Sequence, residues 1–340
     1  MTDKEFLKVR APAKLILSGE HSVVYGQPAL AMAVDRYTET IVRWTTPLHF
    51  SFNLLGIDFR QKVTLEALKR LKQNLNSQYE KFNLGKISIR EVLKNPFELT
   101  LYTAINVIER LKHKLPMGID IATESNIPIG CGMGSSAASV VSVIYGLCNF
   151  LDIEFSIDDY IRLGIKSENL QHGVSSGLDV QVIHQGGCIH YQQGMFTTRP
   201  LPQLSFHLIQ TGKPESTTGE CVSHAKSFFE KSSLCDDFAA VTSNLDQALQ
   251  GNKQNNVNGA IQENHRLLKR IGVVTDKAAQ FIEKIEKLGG AAKICGAGSI
   301  KGDNAGIILA ICKQDISSLT EEYGYKLMPV TGDSRGVHIV

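Results

Sequence analysis

The chain has 340 residues, 43% of them hydrophobic and 21% charged, with a net charge of +2. This is enough for two domains with full cores, and the charge balance gives no reason to expect a nucleic-acid partner. The longest apolar run, Met133 to Leu151, is broken by serines, Tyr145 and Asn149, so it reads as a buried helix and no membrane span is expected.

The elements follow in chain order. Phe6 to Ala11 alternates as a strand, and the chain stays apolar over Leu15 to Leu17 after Pro12. Ala29 to Val34 and Thr38 to Trp44 read as two more strands. Val63 to Tyr79 carries Val63, Leu65, Leu68, Leu71 and Leu75 mostly at helical spacing, with its Lys and Arg on a solvated face. Asn95-Pro96 is a cap with a first-turn proline. The helix it opens keeps Leu101, Ala104, Ile105, Ile108 and Leu111 on one side. Gly118 to Thr123 is a strand. After a glycine loop and the Met133–Leu151 run, Ser156 to Leu170 reads as a helix with Asp159 three residues past its cap. Gly187 to Gln192 is a short strand.

Around Thr197 to Gln203 the chain turns polar and proline-bearing. That predicts a domain boundary, with domains over 1–199 and 200–340. The second half opens with a strand over Phe206–Gln210, then helices over 219–232, 236–250, 256–271 and 274–288. Strands flank a second glycine turn, Gly296-Ala-Gly298. Asn304 to Cys312 is a long apolar strand and Val337 to Val340 an edge strand.

The loop Ile127-Pro-Ile-Gly-Cys-Gly-Met-Gly-Ser-Ser-Ala-Ala138 is the most informative stretch. Gly130, Gly132 and Gly134 allow positive φ and close backbone approach. Ser135 or Ser136 can cap the next helix, whose first amides and dipole favour an anion such as a phosphate. It is neither a P-loop, lacking Gly-Lys-Ser/Thr, nor a G-x-G-x-x-G dinucleotide fingerprint. Taken alone, close packing explains such a turn equally well.

Other residues also have plain readings. Lys14 sits in an apolar stretch, which is costly unless the lysine is paired or functional. His21 alone reads as a hydrogen-bonded histidine, Glu168 as a solvated helix residue and Asp179 as a turn residue. Seven scattered cysteines, an odd number without zinc-ligand spacing, argue against a disulfide framework. The charged start Met-Thr-Asp-Lys-Glu lacks a signal peptide's apolar core. Both features point to the cytoplasm.

Together and in this order, these segments resemble the GHMP kinases. The Pro12-Ala-Lys14 region, the loop at 130–138 and Gly296-Ala-Gly298 match that family's three motifs. Within it the text is most similar to the mevalonate kinase branch. The matching segments are Gly19-Glu-His-Ser-Val-Val-Tyr-Gly26, then Glu168, His172-Gly173, Ser176-Gly-Leu-Asp179 and Gly186-Gly187. Galactokinases continue Gly-Glu-His with Thr-Asp-Tyr, which is absent here.

The resemblance implies an α+β, two-domain GHMP kinase fold. Its N-terminal domain is like ribosomal protein S5 domain 2, its C-terminal domain is ferredoxin-like, and the site lies in the cleft. It implies ATP and Mg²⁺ as cofactors, mevalonate as substrate, no nucleic-acid or membrane partner, and room for a homodimer. Asp179 would be the base toward the substrate's primary hydroxyl. Lys14 would lie near that hydroxyl and keep Asp179 in its carboxylate form. Glu168 with Ser135 or Ser136 would hold Mg²⁺. Gly130, Gly132, Met133, Gly134, Ser135, Ser136, Ala137, Gly296 and Gly298 would surround the nucleotide phosphates. Lys14, Glu20, His21, Ser176, Asp179 and Thr217 would hold mevalonate.

One departure stands out. Where many relatives carry four glycines, this chain has Gly296-Ala-Gly298-Ser-Ile-Lys301-Gly-Asp303. The glycines are expected near the phosphates or supporting the first loop, and the charged insert is expected to turn outward. The alternatives are a kinase for phosphomevalonate or another small alcohol, a non-catalytic ligand binder and a nucleotide-binding oxidoreductase. A phosphorylated substrate would call for extra Lys or Arg in the cleft, with Arg10, Lys166 and Arg199 as candidates.

Overall fold

In the computed structural model the described residues are 4–57, 59–95, 97–111, 115–230, 233–251 and 253–340. Pro96, expected in a first helical turn, and residues 231 and 232, expected to end a helix, lie outside them.

Strand β1 (Phe6–Ser18) pairs antiparallel with β2 (Ala29–Thr45) along nearly its whole length. The break expected in β2 is an irregularity within one strand. The register shifts between Pro12 and Ala13, leaving Asp35 and Arg36 of β2 unpaired with β1. Such a bulge tolerates a proline without losing a ladder bond. Asp35 instead accepts from the Thr331 amide and hydroxyl, at 3.0 and 2.7 Å.

β3 (Phe50–Leu54) and β4 (Phe59–Val63) form a hairpin that the sequence reading lacked. The helix expected from Val63 starts later, as α1 (Leu65–Asn83), because the Thr64 hydroxyl caps it through the Ala67 amide, 3.2 Å. Helix α2 (Phe97–Ile108) is almost wholly buried, and β5 (Gly118–Ser125) leads to the glycine loop. Next come α3 (Ser135–Phe150), α4 (Ile157–His172), α5 (Leu178–Gln185), β6 (Cys188–Gln192) and β7 (Met195–Arg199). As expected, Ser156 and Asp159 form a capping box on α4.

The first sheet runs β4-β3-β5-β2-β1 and continues to a C-terminal strand, with β6 and β7 added beside the start of β2. Among the described residues only β3 and β5 pair in parallel. Helix α3 packs across β1 and β2, with α2 and α4 against it.

The remaining elements are β8 (His207–Gly212), α6 (Thr218–Glu230), α7 (Leu234–Gln250), α8 (Gln254–Arg270), α9 (Asp276–Lys287), β9 (Ala291–Cys295), β10 (Gly306–Ile311), α10 (Ser317–Glu322), β11 (Lys326–Met328) and β12 (His338–Ile339). A second, antiparallel sheet has the order β11-β8-β10-β9. Strand β12 returns to the first sheet as the edge strand beside β1. The architecture is α+β, as expected. A continuous apolar core runs from under the first sheet to Leu208, Ile307 and Leu309 of the second, and a separate core around Phe238 and Phe281 fills the C-terminal half. All seven cysteines are free. Among the described residues no helix is long and apolar enough to cross a membrane.

Candidate active site

A cavity of about 680 Å³ opens between the two sheets, lined by residues from the end of β1, the glycine loop, α4, the start of α5 and the turn after β9. The glycine loop forms one wall because the second sheet braces it. The Ile307 amide of β10 donates to the Cys131 carbonyl, 3.1 Å. A Cβ at Gly132 would sit 2.4 Å from the Cys295 carbonyl oxygen, and one at Gly296 would sit 2.8 Å from Gly132 Cα. Here glycine is required by both positive φ and backbone approach.

Two local expectations are corrected. Neither serine caps α3; Gly134, left-handed with φ 73°, is its N-cap, and no side-chain cap bond forms. The first turn of α3 therefore begins at the loop without a hydroxyl over its amides, as suits an anion-binding end. Met133 and Ala137 bury their side chains in the core, so any approach to a phosphate would be through their backbone. Gly298 is likewise buried behind the cavity, and a Cβ there would meet the Val273 carbonyl at 2.1 Å. Lys301, Gly302 and Asp303 are exposed.

Lys14 is buried on β1, and its amide donates to the Met133 carbonyl, 3.0 Å. Its stem runs against Gly134, and its Nζ lies 3.1 Å from Asp179 Oδ1. Asp179 is not in a turn but in the first turn of α5, and its carboxylate is half-buried on the cavity wall.

Glu168, which sequence alone suggests is solvated, is 3% exposed. Its Oε2 accepts from the Ser136 hydroxyl, 2.9 Å, while Oε1 is buried without a partner. His172, one turn further along α4, lies 3.4 Å from Glu168 and 3.3 Å from Ser136. Burial opposes its charge, but the adjacent Glu168 outweighs burial and raises its pKa. The sequence reading gave His172 no role, although it stands within the matching text.

His21 adopts the left-handed region with φ 61°. Its Nε2 lies 3.1 Å from the Ala297 carbonyl, and burial lowers its pKa to about 4. The ring is therefore neutral at pH 7. Because a carbonyl only accepts, Nε2 carries the proton and the buried, unpartnered Nδ1 is an acceptor. Glu20 pairs with Lys293, a wholly buried lysine that the sequence reading missed. The signal was the same as for Lys14: a lysine within an apolar strand, Ala291-Ala-Lys-Ile-Cys295.

Ser176 and Thr217 line the cavity but also serve the backbone. The Ser176 hydroxyl accepts from the Leu178 amide, 3.3 Å. Thr217 caps α6 through the Glu220 amide, 3.2 Å. Glu220 in turn accepts from the Thr217 amide and from Arg90, which holds its pKa down to about 2.

The three cations singled out for a phosphorylated substrate are engaged elsewhere. Arg10 pairs with Glu39 at 2.5 Å and Arg199 with Asp246 at 2.8 Å, while Lys166 donates to Asn106 at 3.0 Å. None of the three lines the cavity. Lys213 and Arg90 do line it, Lys213 with its stem along Gly130 on the loop side and Arg90 paired with Glu220.

Residues 100–187 match the GHMP kinases N terminal domain. The mevalonate kinase of Pyrococcus furiosus is 32% identical over 305 residues, spanning 85% of each chain, and that of Thermococcus onnurineus is 32% identical over 301 residues, also 85% of each. The crystal structure of the Methanococcus jannaschii mevalonate kinase superposes with a TM-score of 0.77 at 23% identity, covering 97% of this chain and 99% of that one. The chain belongs to the mevalonate kinase branch of the GHMP kinase family.

Proposed function

We propose that the chain transfers the γ-phosphoryl group of ATP to the primary hydroxyl of mevalonate, with Asp179 as the base and Lys14 beside it. The observation that carries this reading is the Lys14–Asp179 ion pair, set against Gly134 of the glycine loop. A protein that only bound its ligand would need no base there. The relatives named mevalonate kinases supply the substrate.

Phosphoryl transfer needs held phosphates, neutralised charge and an in-line nucleophile. The backbone amides over 130–136 and the α3 N-terminus would hold the phosphates. Asp179 would take the hydroxyl proton as the substrate oxygen bonds to the γ-phosphorus and the bond to the β,γ-bridging oxygen breaks, releasing ADP. The Lys14 ammonium would stabilise negative charge developing on the attacking oxygen. Glu20, His21, Ser176 and Thr217 would position the rest of mevalonate.

The Ser136–Glu168 pair fits Mg²⁺. It offers hard oxygen donors, and the orphaned Glu168 Oε1 lacks any partner in the protein. Ser135 stands beside it as a second hydroxyl. The ion would supply charge neutralisation on the ATP phosphates. Glu168→Gln removes one anionic oxygen, so the Mg²⁺ concentration for half-maximal rate should rise on the order of 10-fold. An unchanged Mg²⁺ titration would place Glu168 outside the metal site.

The test of the reaction itself is product identity. Incubation with ATP and mevalonate should give ADP and one phosphate monoester on the primary carbon, visible by phosphorus NMR. ATP consumption without that ester would overturn the proposal.

A further inference from the structure

Lys293 lies on β9 of the second sheet, yet its ammonium reaches the end of β1 in the first. It donates to Glu20, to the Ile16 carbonyl at 3.2 Å and to the Ile294 carbonyl at 2.9 Å. An ammonium has three N–H donors, and all three are used. Lys293 therefore has nothing left to offer a ligand directly. Its one anionic partner, Glu20, sits in the cavity wall.

A buried ion pair is a poor stabilising device, since apolar residues of similar volume commonly do as well or better. A carboxylate oxygen buried without a donor adds further cost. Glu20 Oε2 is such an oxygen. The arrangement makes sense if a donor arrives with the substrate.

We infer that Lys293 is a positioning residue for substrate binding, holding Glu20 from across the domain cleft so that Oε2 accepts a hydrogen bond from a mevalonate hydroxyl. This rests on the proposed reaction above. Burial already pushes the Glu20 pKa up against the pull of Lys293 and Lys14. Without Lys293 that rise would be larger, and a protonated Glu20 would be a weaker acceptor than the carboxylate. The same strand ends at Cys295, which with the following Gly296 braces Gly132. Strand β9 thus fixes both halves of the site through different residues, and the two effects can be separated.

Lys293→Met should raise the KM for mevalonate by about 10- to 100-fold, the weight of a hydrogen bond to a charged group. The KM for ATP should stay within about twofold, because Gly132 and its brace are untouched. The double variant Lys293→Met/Glu20→Gln replaces the unpartnered buried carboxyl with a neutral amide, so its thermal stability should recover toward wild type while the mevalonate KM stays high. This variant decides the matter if Lys293→Met alone does not fold. Recovery of a normal mevalonate KM in the double variant, or an equal rise in both KM values in the single one, would make the pair structural only and overturn the inference. Failure of the wild type to phosphorylate mevalonate would instead overturn the proposed reaction. Normal wild-type turnover with unaffected variants would overturn this inference alone.

Discussion

Asp179→Asn should fold, bind ATP as the wild type does, and turn over on the order of 10²–10⁴-fold more slowly. Asparagine keeps the shape of the side chain and its place in the first turn of α5, but it cannot accept the hydroxyl proton. The Lys14 ammonium, 3% exposed, remains beside it and on the proposed reaction would still face the substrate oxygen. The loss should therefore appear in kcat, with little change in nucleotide affinity. Near-normal turnover by the folded variant would reduce Asp179 to an acidic residue that merely complements the α5 dipole.

Gly132→Ala should be the most damaging single change to ATP use outside the Lys14–Asp179 pair. The backbone has φ 90°, and the new Cβ would lie 2.4 Å from the Cys295 carbonyl oxygen. The obstacle is backbone, so no side chain can swing away. Either the loop or β9 must move, at a cost of roughly 1–3 kcal/mol for the backbone strain alone. The KM for ATP should rise by about 10-fold or more, the effect of displacing a phosphate-positioning loop by a fraction of its tolerance. Lys301→Ala is the contrasting case. Its side chain is exposed beyond the bracing glycines, so stability should change within about 0.5 kcal/mol and ATP use should be unchanged. A large loss of ATP affinity in Lys301→Ala with a mild Gly132→Ala would put the charged insert on the nucleotide.

The parts legible in the sequence were those with strong local signals. The Ser156/Asp159 capping box marks α4, and the helix expected over 274–288 is α9. The missed elements had weak ones. Strand β4 is an edge strand whose Arg60, Gln61 and Lys62 are exposed, so no buried alternation betrays it. Helix α5 is short and flanked by Ser-Ser-Gly and Gly-Gly, which read as turns. The split expected in β2 was a bulge opposite Pro12 of β1 misread as two strands, since a bulge interrupts the apolar pattern without ending the strand.

In the site, residue types were readable but their environment was not. Lys14 and Asp179 meet only because α3 and α5 pack against β1. Glu168 looked like any solvated helical glutamate until Ser136 and His172 closed over it. Lys293 carried a readable signal that went unused, and its partner Glu20 lies far away in sequence.

The most direct test is kcat/KM with ATP for mevalonate against phosphomevalonate, galactose and homoserine, measured on one preparation of the full chain. Mevalonate should rank first, because the cavity carries Lys14, Asp179 and the His21 acceptor, Arg10, Lys166 and Arg199 are engaged outside it, and of the cavity's other cations Arg90 is paired with Glu220 and Lys213 lies along the glycine loop. A clear preference for any of the other three would contradict the assignment.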